Sequence, residues 1–305
     1  MRVKFWGVRG SIPCPGPATV RYGGNTACVE LFVESLDRRL IIDAGSGIRE
    51  LGDEMMHSDT SQDGLRAEIF LSHTHWDHIM GFPFFTPIYL PGSQLKIYGP
   101  VTYEEATLKE VLSGQWTYRH FPVRHDELSA HIEYVDLKEG AYELGDGLKL
   151  TTKYLNHPLL CLGYRFEYSG RTICTAFDTE PFHNLFCISS DNSSDDAAMA
   201  AEGAQAAAEE NARIETFISG ADLLIYDAQY TRAEYEATRK GWGHSPIEHA
   251  IETAGRCGVK RLALFHHDIQ RTDDDIDALA LRYEQQEYKN GTEVFFAHEG
   301  MVIHI

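Results

Sequence analysis

The run His73-Thr74-His75-Trp76-Asp77-His78 constrains this chain more than any other stretch. It puts three imidazoles and a carboxylate into six residues, directly after the apolar Ile69-Phe70-Leu71. The apolar residues read as a strand, and alternation along its end would deliver His73 and His75 to the same side. The following turn can swing Asp77 and His78 to a neighbouring point. Imidazole nitrogens and a carboxylate oxygen suit zinc, manganese or iron. One ion seldom needs four donors packed this tightly. Two adjacent ions use them naturally, with His73 and His75 on one and Asp77 and His78 on the other. The competing reading is a solvated polar turn with incidental histidines, and ligand type, order and strand context all speak against it.

A two-ion hydrolytic site has further requirements: about three to four protein ligands per ion, an open position for water, and a bridging carboxylate. One more histidine per ion and one more aspartate are therefore expected downstream. His157, Asp178 and His266 each stand just past a β-rich run, ending at Leu155, Phe177 and Phe265. A rigid sheet could aim all three at one edge. His267 competes with His266; counting from the strand favours His266 and leaves His267 a supporting place.

With these residues in view, the chain resembles the metallo-β-lactamase fold superfamily. The segments Gly163-Tyr164-Arg165-Phe166-Glu167 and Phe177-Asp178-Thr179-Glu180 are similar to ribonuclease Z and its small phosphodiesterase relatives. Phe5-Trp6-Gly7-Val8-Arg9-Gly10-Ser11-Ile12-Pro13, Gly23-Gly24-Asn25-Thr26 and Ile42-Asp43-Ala44-Gly45 resemble bacterial cyclic-nucleotide phosphodiesterase-like members. Around His157 there is no Gly-His-Thr-x-Gly-His segment of the glyoxalase II type. Asp178 stands where true β-lactamases tend to carry Cys. The motifs run from Arg2 to about Asp268, nearly the whole chain.

The resemblance implies a four-layer αββα sandwich forming one domain over 1–305. It implies two divalent ions, zinc foremost with manganese or iron as alternatives, held by His73, His75, Asp77, His78, His157, Asp178 and His266. Asp77 would position its ion and accept a proton from the nucleophile. Asp43 would orient the site histidines rather than bind an ion. His244, in Gly243-His244-Ser245, would be catalytic or touch substrate. Arg9 and Asn25 are candidates for the pocket lining, with turn-building roles equally open. A homodimer is expected by analogy alone.

Local signals support the place of His244. Ser245-Pro246-Ile247-Glu248 fits a capping box, with Ser245 as N-cap and Glu248 at N3. Ile247, Ala250, Ile251 and Ala254 make the inward stripe, and Gly258 closes the helix. His244 would then sit beside a helix N-terminus, where anions are favoured. The last helix is a useful contrast: Thr272 caps it and Asp273, Asp274 and Asp275 suit its first turn, so that acidic run needs no metal. Trp76 is expected to pack locally. His120, His125, His131, His183, His249, His298 and His304 have no motif around them.

Further strands are predicted over 3–7, 28–33, 39–43, 68–71, 95–98, 148–155, 163–168, 171–177, 223–227, 261–265 and 293–296. Helices are predicted over 103–113, 197–218, 231–238, 246–257 and 273–289. A polar, then Ala- and Glu-rich stretch reads as an insertion at about 183–218, a loop feeding a helix. It could be a lid, a dimer element or a solvated decoration.

Composition narrows the substrate. The 305 residues carry a formal charge of −19. Gripping a long nucleic acid requires many cations against phosphates, so this balance disfavours it. A small anion is less affected, because bound cations would supply the local positive field. No apolar run is long enough to span a membrane. The N-terminus lacks a signal-like apolar segment, and the six cysteines show no paired spacing, so a cytoplasmic protein with reduced thiols is expected. The expectation is a dinuclear phosphodiesterase of small substrates, 3′,5′-cyclic nucleotides first. The alternatives are a ribonuclease Z-like tRNA 3′ endonuclease, an ester, thioester or lactone hydrolase, and a non-catalytic nucleotide-binding protein.

Overall fold

The computed structural model describes residues 1–58, 64–101, 106–186, 194–284 and 291–305. Its strands, in chain order, are β1 (Arg2–Gly7), β2 (Cys28–Val33), β3 (Arg38–Ile42), β4 (Arg66–Phe70), β5 (Gln94–Pro100), β6 (His131–Leu137), β7 (Gly140–Glu143), β8 (Lys149–Leu155), β9 (Cys161–Tyr168), β10 (Arg171–Ala176), β11 (Leu223–Asp227), β12 (Arg261–Phe265), β13 (Glu293–Phe296) and β14 (Val302–His304). The helices are α1 (Ile48–Ser58), α2 (Trp76–Ile79), α3 (Leu108–Ser113), α4 (Ser194–Ile218), α5 (Arg232–Glu234), α6 (Ile247–Arg256) and α7 (Asp273–Tyr283).

The strands form two mixed sheets, ordered β14-β1-β2-β3-β4-β5-β6 and β13-β12-β11-β10-β9-β8-β7. Both follow one plan. In the first, pairing is antiparallel from β14 to β3 and parallel from β3 to β6. In the second it is antiparallel from β7 to β10 and parallel from β10 to β13. Parallel neighbours need crossovers, so helices return the chain after β3, β10, β11 and β12. Loops at the carboxyl ends of such strands are the usual place for a site in sheets of this kind.

The inner faces of the sheets meet through Phe5, Leu31, Leu40 and Phe70 on one side and Leu150, Phe166, Ile173 and Phe265 on the other. Phe70 stacks on Tyr98 at 4.5 Å and meets Phe166 edge-on at 5.1 Å. Outside the first sheet, Ile48, Leu51 and Met55 of α1 and Leu108 and Leu112 of α3 pack with Ile41, Ile69 and Ile97. Outside the second, Ile214 and Ile218 of α4, Ile247 and Ile251 of α6 and Ile276 of α7 pack with Leu224, Leu262 and Leu264. The expected αββα layering is therefore present. Among the described residues no helix is long and apolar enough to cross a membrane.

Several local expectations need correction. Three strands were not predicted: β7 and β14 have only four and three residues, too few to show alternation, and β6 fully buries only Leu137. Helix α1 was also unpredicted; its stripe of Ile48, Leu51 and Met55 is short and follows Gly45-Ser46-Gly47. The helix expected over 103–113 begins at Leu108, because Thr107 and Glu110 form a capping box there; residues 102–105 lie outside the described set. The 231–238 helix divides into α5 and a π-helical turn, Tyr235–Arg239. Helix α7 ends at Tyr283, and the rest of its predicted course, 285–289, is outside the described residues, as are 187–193 with Cys187.

Ser245 is not the cap of α6. Pro246 takes the N-cap position without a side-chain bond. Ser245 Oγ donates instead to the Thr179 carbonyl at 2.6 Å, and Glu248 accepts from Arg232 N and from the Tyr283 hydroxyl. A buried hydroxyl takes the nearest buried carbonyl when a strand turn offers one. Thr272 does cap α7, in a capping box with Asp275.

Candidate active site

Three site residues share a backbone signature. Asp43, Asp178 and His266 have positive φ (61°, 45° and 63°), and each stands one or two residues past the end of β3, β10 or β12. A non-glycine residue costs on the order of 1–2 kcal/mol in this left-handed region. The strain persists because it turns each side chain out of its strand's path and into a common point.

Two donor groups result. His73, His75, His157 and Asp178 form one, and Asp77, His78, His266 and Asp178 the other, with the four donor atoms of each within 4.8 Å of one another. In the first, His75 Nδ1 lies 3.0 Å from His73 Nε2 and 3.1 Å from His157 Nε2, and Asp178 Oδ2 is 3.5 Å from His73 Nε2. In the second, Asp178 Oδ1 lies 3.2 Å from His78 Nε2 and 3.1 Å from His266 Nε2, while Asp77 Oδ2 is 3.3 Å from each. Asp178 thus belongs to both groups and turns one oxygen to each. The division of the hexapeptide is the one its spacing suggested.

Supporting bonds orient these donors. Asp43 Oδ2 accepts from His78 Nδ1 at 2.7 Å and from Ser72 Oγ at 2.8 Å, while its Oδ1 accepts Ser72 N. His157 Nδ1 donates to the Gly243 carbonyl at 3.1 Å, which leaves Nε2 as a lone-pair donor facing the group. Ser11 N donates to Asp77 Oδ2 at 2.7 Å. Gly10 leaves room for His266: a Cβ there would stand 2.3 Å from the ring.

Arg9, Asn25 and His267 are engaged by backbone and side-chain partners. Arg9 is buried and ties loops together, donating to the carbonyls of Gly23, Asp268 and Arg271. Asn25 is bound to Glu299 and Ser46. His267 donates Nε2–H to the Ala297 carbonyl at 2.8 Å, with its ring against Tyr22 and Phe296. These three are structural ties, for which buried polar groups near a turn find backbone partners first. Trp76 does not pack locally; it is exposed.

His244 does join the site. Its ring stacks on His266 with centroids 4.9 Å apart, and its Nδ1 donates to Asp227 Oδ2 at 2.8 Å. Burial alone would lower its pKa, but Asp227, helped by Asp178 and Asp77, lifts it to about 9. Asp227 and Glu180 were not singled out from sequence. Asp227 ends β11, the same strand-end position that marked Asp178 and His266, and that was the available signal. Glu180 accepts from the Tyr235 hydroxyl and from the N–H groups of Gly241 and Gly243, so it shapes the turn before His244. A third grouping, Asp178, Asp227, His244 and His266, overlaps the second. Asp227 is already engaged there by Thr179 N, Gln229 N and His244, which suits it to anchoring the His244 ring.

The centre is built for cations. Burial pushes His73 well below the ordinary imidazole value and His157 down to about 4, so both offer lone pairs. Burial would raise Asp178, yet His266, His78 and His73 hold it well below the carboxylate range. His78 Nε2 and Asp178 Oδ1 are close enough to bond but are angled so that neither has a hydrogen-bond partner. Buried polar atoms left this way are rare unless something else satisfies them. Nitrogen and carboxylate donors with two unpartnered atoms fit divalent metal ions.

A family model described as the beta-lactamase superfamily domain matches residues 38–190, about half of the chain. A ribonuclease BN from Salmonella paratyphi C is 35% identical over 132 residues, which is 41% of this chain and 37% of that protein. The aligned stretch thus spans little more than a third of that relative. The crystal structure of human tRNase Z, short form, superposes with a TM-score of 0.62 at 23% identity, covering 100% of this chain and 99% of that one. A diphosphatase from the PhnP family superposes with a TM-score of 0.63 at 17% identity, covering 100% and 97%. At these identities the structural likeness speaks for the fold. The two sheets, the paired His/Asp groups at their strand ends and the family match agree: this chain belongs to the metallo-β-lactamase fold superfamily.

Proposed function

We propose that the chain is a metal-dependent hydrolase of phosphodiester bonds in small substrates, with 3′,5′-cyclic nucleotides foremost. One observation carries this reading: Asp178 shares its two oxygens between two donor groups, beside a His244 ring whose Nδ1 is held by Asp227 at 2.8 Å. His73, His75, His157 and Asp178 would hold one divalent ion, and Asp77, His78, His266 and Asp178 a second. Bound there, such ions supply Lewis-acid charge and water activation at neutral pH. Zinc is the first expectation, and manganese or iron suits the same donors.

The remaining work falls to side chains. His244 presents its Nε2–H to the leaving oxygen, and Asp227 keeps the ring in place and charged. Asp77, fixed by Ser11 N–H, is the proton acceptor on the opposite step. Asp43 holds His78 in one tautomer. The reading places the enzyme in the cytoplasm, where its free thiols stay reduced, and allows a homodimer.

A second reading is an endonuclease acting at tRNA 3′ ends, which the match to a ribonuclease BN favours. The formal charge of −19 opposes it, since many phosphate contacts require many cations. The deciding experiment is turnover by metal-loaded protein of cyclic AMP, cyclic GMP, bis(p-nitrophenyl) phosphate, a tRNA precursor and a thioester. Elemental analysis of protein purified without chelator accompanies it. Cleavage of the cyclic nucleotides with about two ions per chain is expected. Cleavage of the tRNA precursor alone transfers the assignment to the second reading, and turnover of the thioester alone removes both.

A further inference from the structure

The chain has four tryptophans, and they divide sharply. Trp6 and Trp116 are 6% and 3% exposed, whereas Trp76 and Trp242 are 67% and 55% exposed. Both exposed indoles adjoin the site. Trp76 stands between His75 and Asp77, and Trp242 immediately precedes Gly243 and His244. Two short contacts join these stretches: His75 Nδ1 lies 3.1 Å from His157 Nε2, and His157 Nδ1 donates to the Gly243 carbonyl. The two segments that carry the indoles therefore meet at the same donor group.

Trp242 is also held in place. Glu180 binds the N–H groups on either side of it, those of Gly241 and Gly243. The Arg239 guanidinium lies 4.5 Å from the Trp242 ring centroid and 5.7 Å from that of Tyr230. The Tyr230 ring in turn meets the His244 ring at 6.1 Å. Among the described residues, the one hydrogen bond of that guanidinium is to Thr238 Oγ1. An indole left in water forgoes the stabilisation of burying a large apolar ring. Two such residues on an ordered rim, with a cation beside one of them, suit a flat aromatic ligand that also bears negative charge.

We propose that Trp76 and Trp242 form the base-recognition surface of this site, stacking against the nucleobase of a nucleotide, with Arg239 facing an anionic group of the same ligand. The proposal deepens the phosphodiesterase reading and rests on it for the substrate class. Stacking accepts any π-face, so little discrimination among bases follows.

The test compares binding of 5′-AMP and ribose 5-phosphate, which share the phosphate and differ in the base, to metal-loaded full-length protein by calorimetry. Stacking should make AMP bind about tenfold more tightly. Trp76→Ala and Trp242→Ala should each remove most of that advantage and leave ribose 5-phosphate affinity unchanged, with circular dichroism and metal content as in the parent. Trp242→Phe should recover part of it, and Arg239→Gln should weaken both ligands alike. Equal affinities in the parent protein, no AMP binding, or an AMP advantage that survives both Trp→Ala changes overturns the proposal. Sedimentation of the variants covers the rival occupant: if the changes split a dimer while the AMP advantage persists, the indoles are an interface between copies and the proposal fails. Turnover of bis(p-nitrophenyl) phosphate is scored separately. Preferential AMP binding without that turnover leaves base recognition standing and removes the reaction.

Discussion

The Glu180 carboxylate accepts the backbone N–H of Gly243 at 2.9 Å, and through that bond one buried side chain governs two parts of the site. Gly243 gives its carbonyl to His157, and its next neighbour is His244. Glu180 itself stands two residues beyond Asp178. The segment that carries the shared carboxylate therefore also fixes the turn that carries His244.

Glu180→Gln should expose that dependence. An amide nitrogen would face N–H groups that now meet a carboxylate, leaving a buried donor unsatisfied. A loss of about 1.5–3 kcal/mol in urea unfolding is expected, together with a lower kcat. Unchanged stability and rate would show that the turn holds its shape without this side chain.

His244 and Asp227 should behave as a unit. His244→Ala removes the proton donor, and a fall in kcat of about 10²- to 10⁴-fold is expected on a substrate with a poor leaving group. Asp227→Asn keeps the shape but withdraws the charge that lifts His244, so a smaller fall is expected, with the basic limb of the pH–rate profile moved to lower pH. The double variant should lose little beyond His244→Ala, since the two changes act on one step. Independent, additive losses would separate the pair.

Gly10→Ala tests the packing behind His266. The added Cβ would fall 2.3 Å from His266 Cε1 and 2.5 Å from Nδ1, closer than atoms can stay. The ring must shift and carry Nε2 away from Asp77 and Asp178. Reduced metal content and at least about tenfold lower activity are expected, since misplacement by about 1 Å at a reacting centre is costly. Ala at the exposed Gly145 is not a clean control, because its φ of 87° is itself strained; Gly255→Ala, in α6 with open space around it, is.

His249 gives a pH dependence away from the metal centre. Burial, with Arg256 adding to it, pushes this imidazole from 6.5 to about 4. The folded protein thus resists a proton that the unfolded chain accepts. Its contribution is fully present above pH 6.5 and is lost as pH falls towards 4. Between pH 7 and pH 4.5 the parent should lose about 1–2 kcal/mol more stability than His249→Gln, compared by urea midpoints with matched m-values. Parallel losses in both proteins would rule out this histidine as the cause.

Much of the site was readable locally because its donors sit at fixed offsets from strands. The hexapeptide follows β4, and Asp178 and His266 follow β10 and β12, so apolar runs pointed to them one at a time. Asp227 obeys the same rule and was passed over because its partner, His244, lies 17 residues further on and the bond between them is a product of folding. For Arg9 and Asn25 the sequence left pocket-lining and turn-building roles equally open, and His267 had only a supporting place. Their motifs lie near the site in sequence, but each side chain is taken by backbone or carboxylate partners from distant segments.

Order along the chain, by itself, determined most of the strands, the donor types and the split of the hexapeptide between two groups, because these depend on periodicity and ligand chemistry. Only the tertiary structure decided which donors share Asp178, that Glu180 and Asp227 hold the turn and ring of His244, and that Trp76 and Trp242 stay in water. Those facts depend on how two sheets stack and where their loops meet, and separation along the chain carries no record of that.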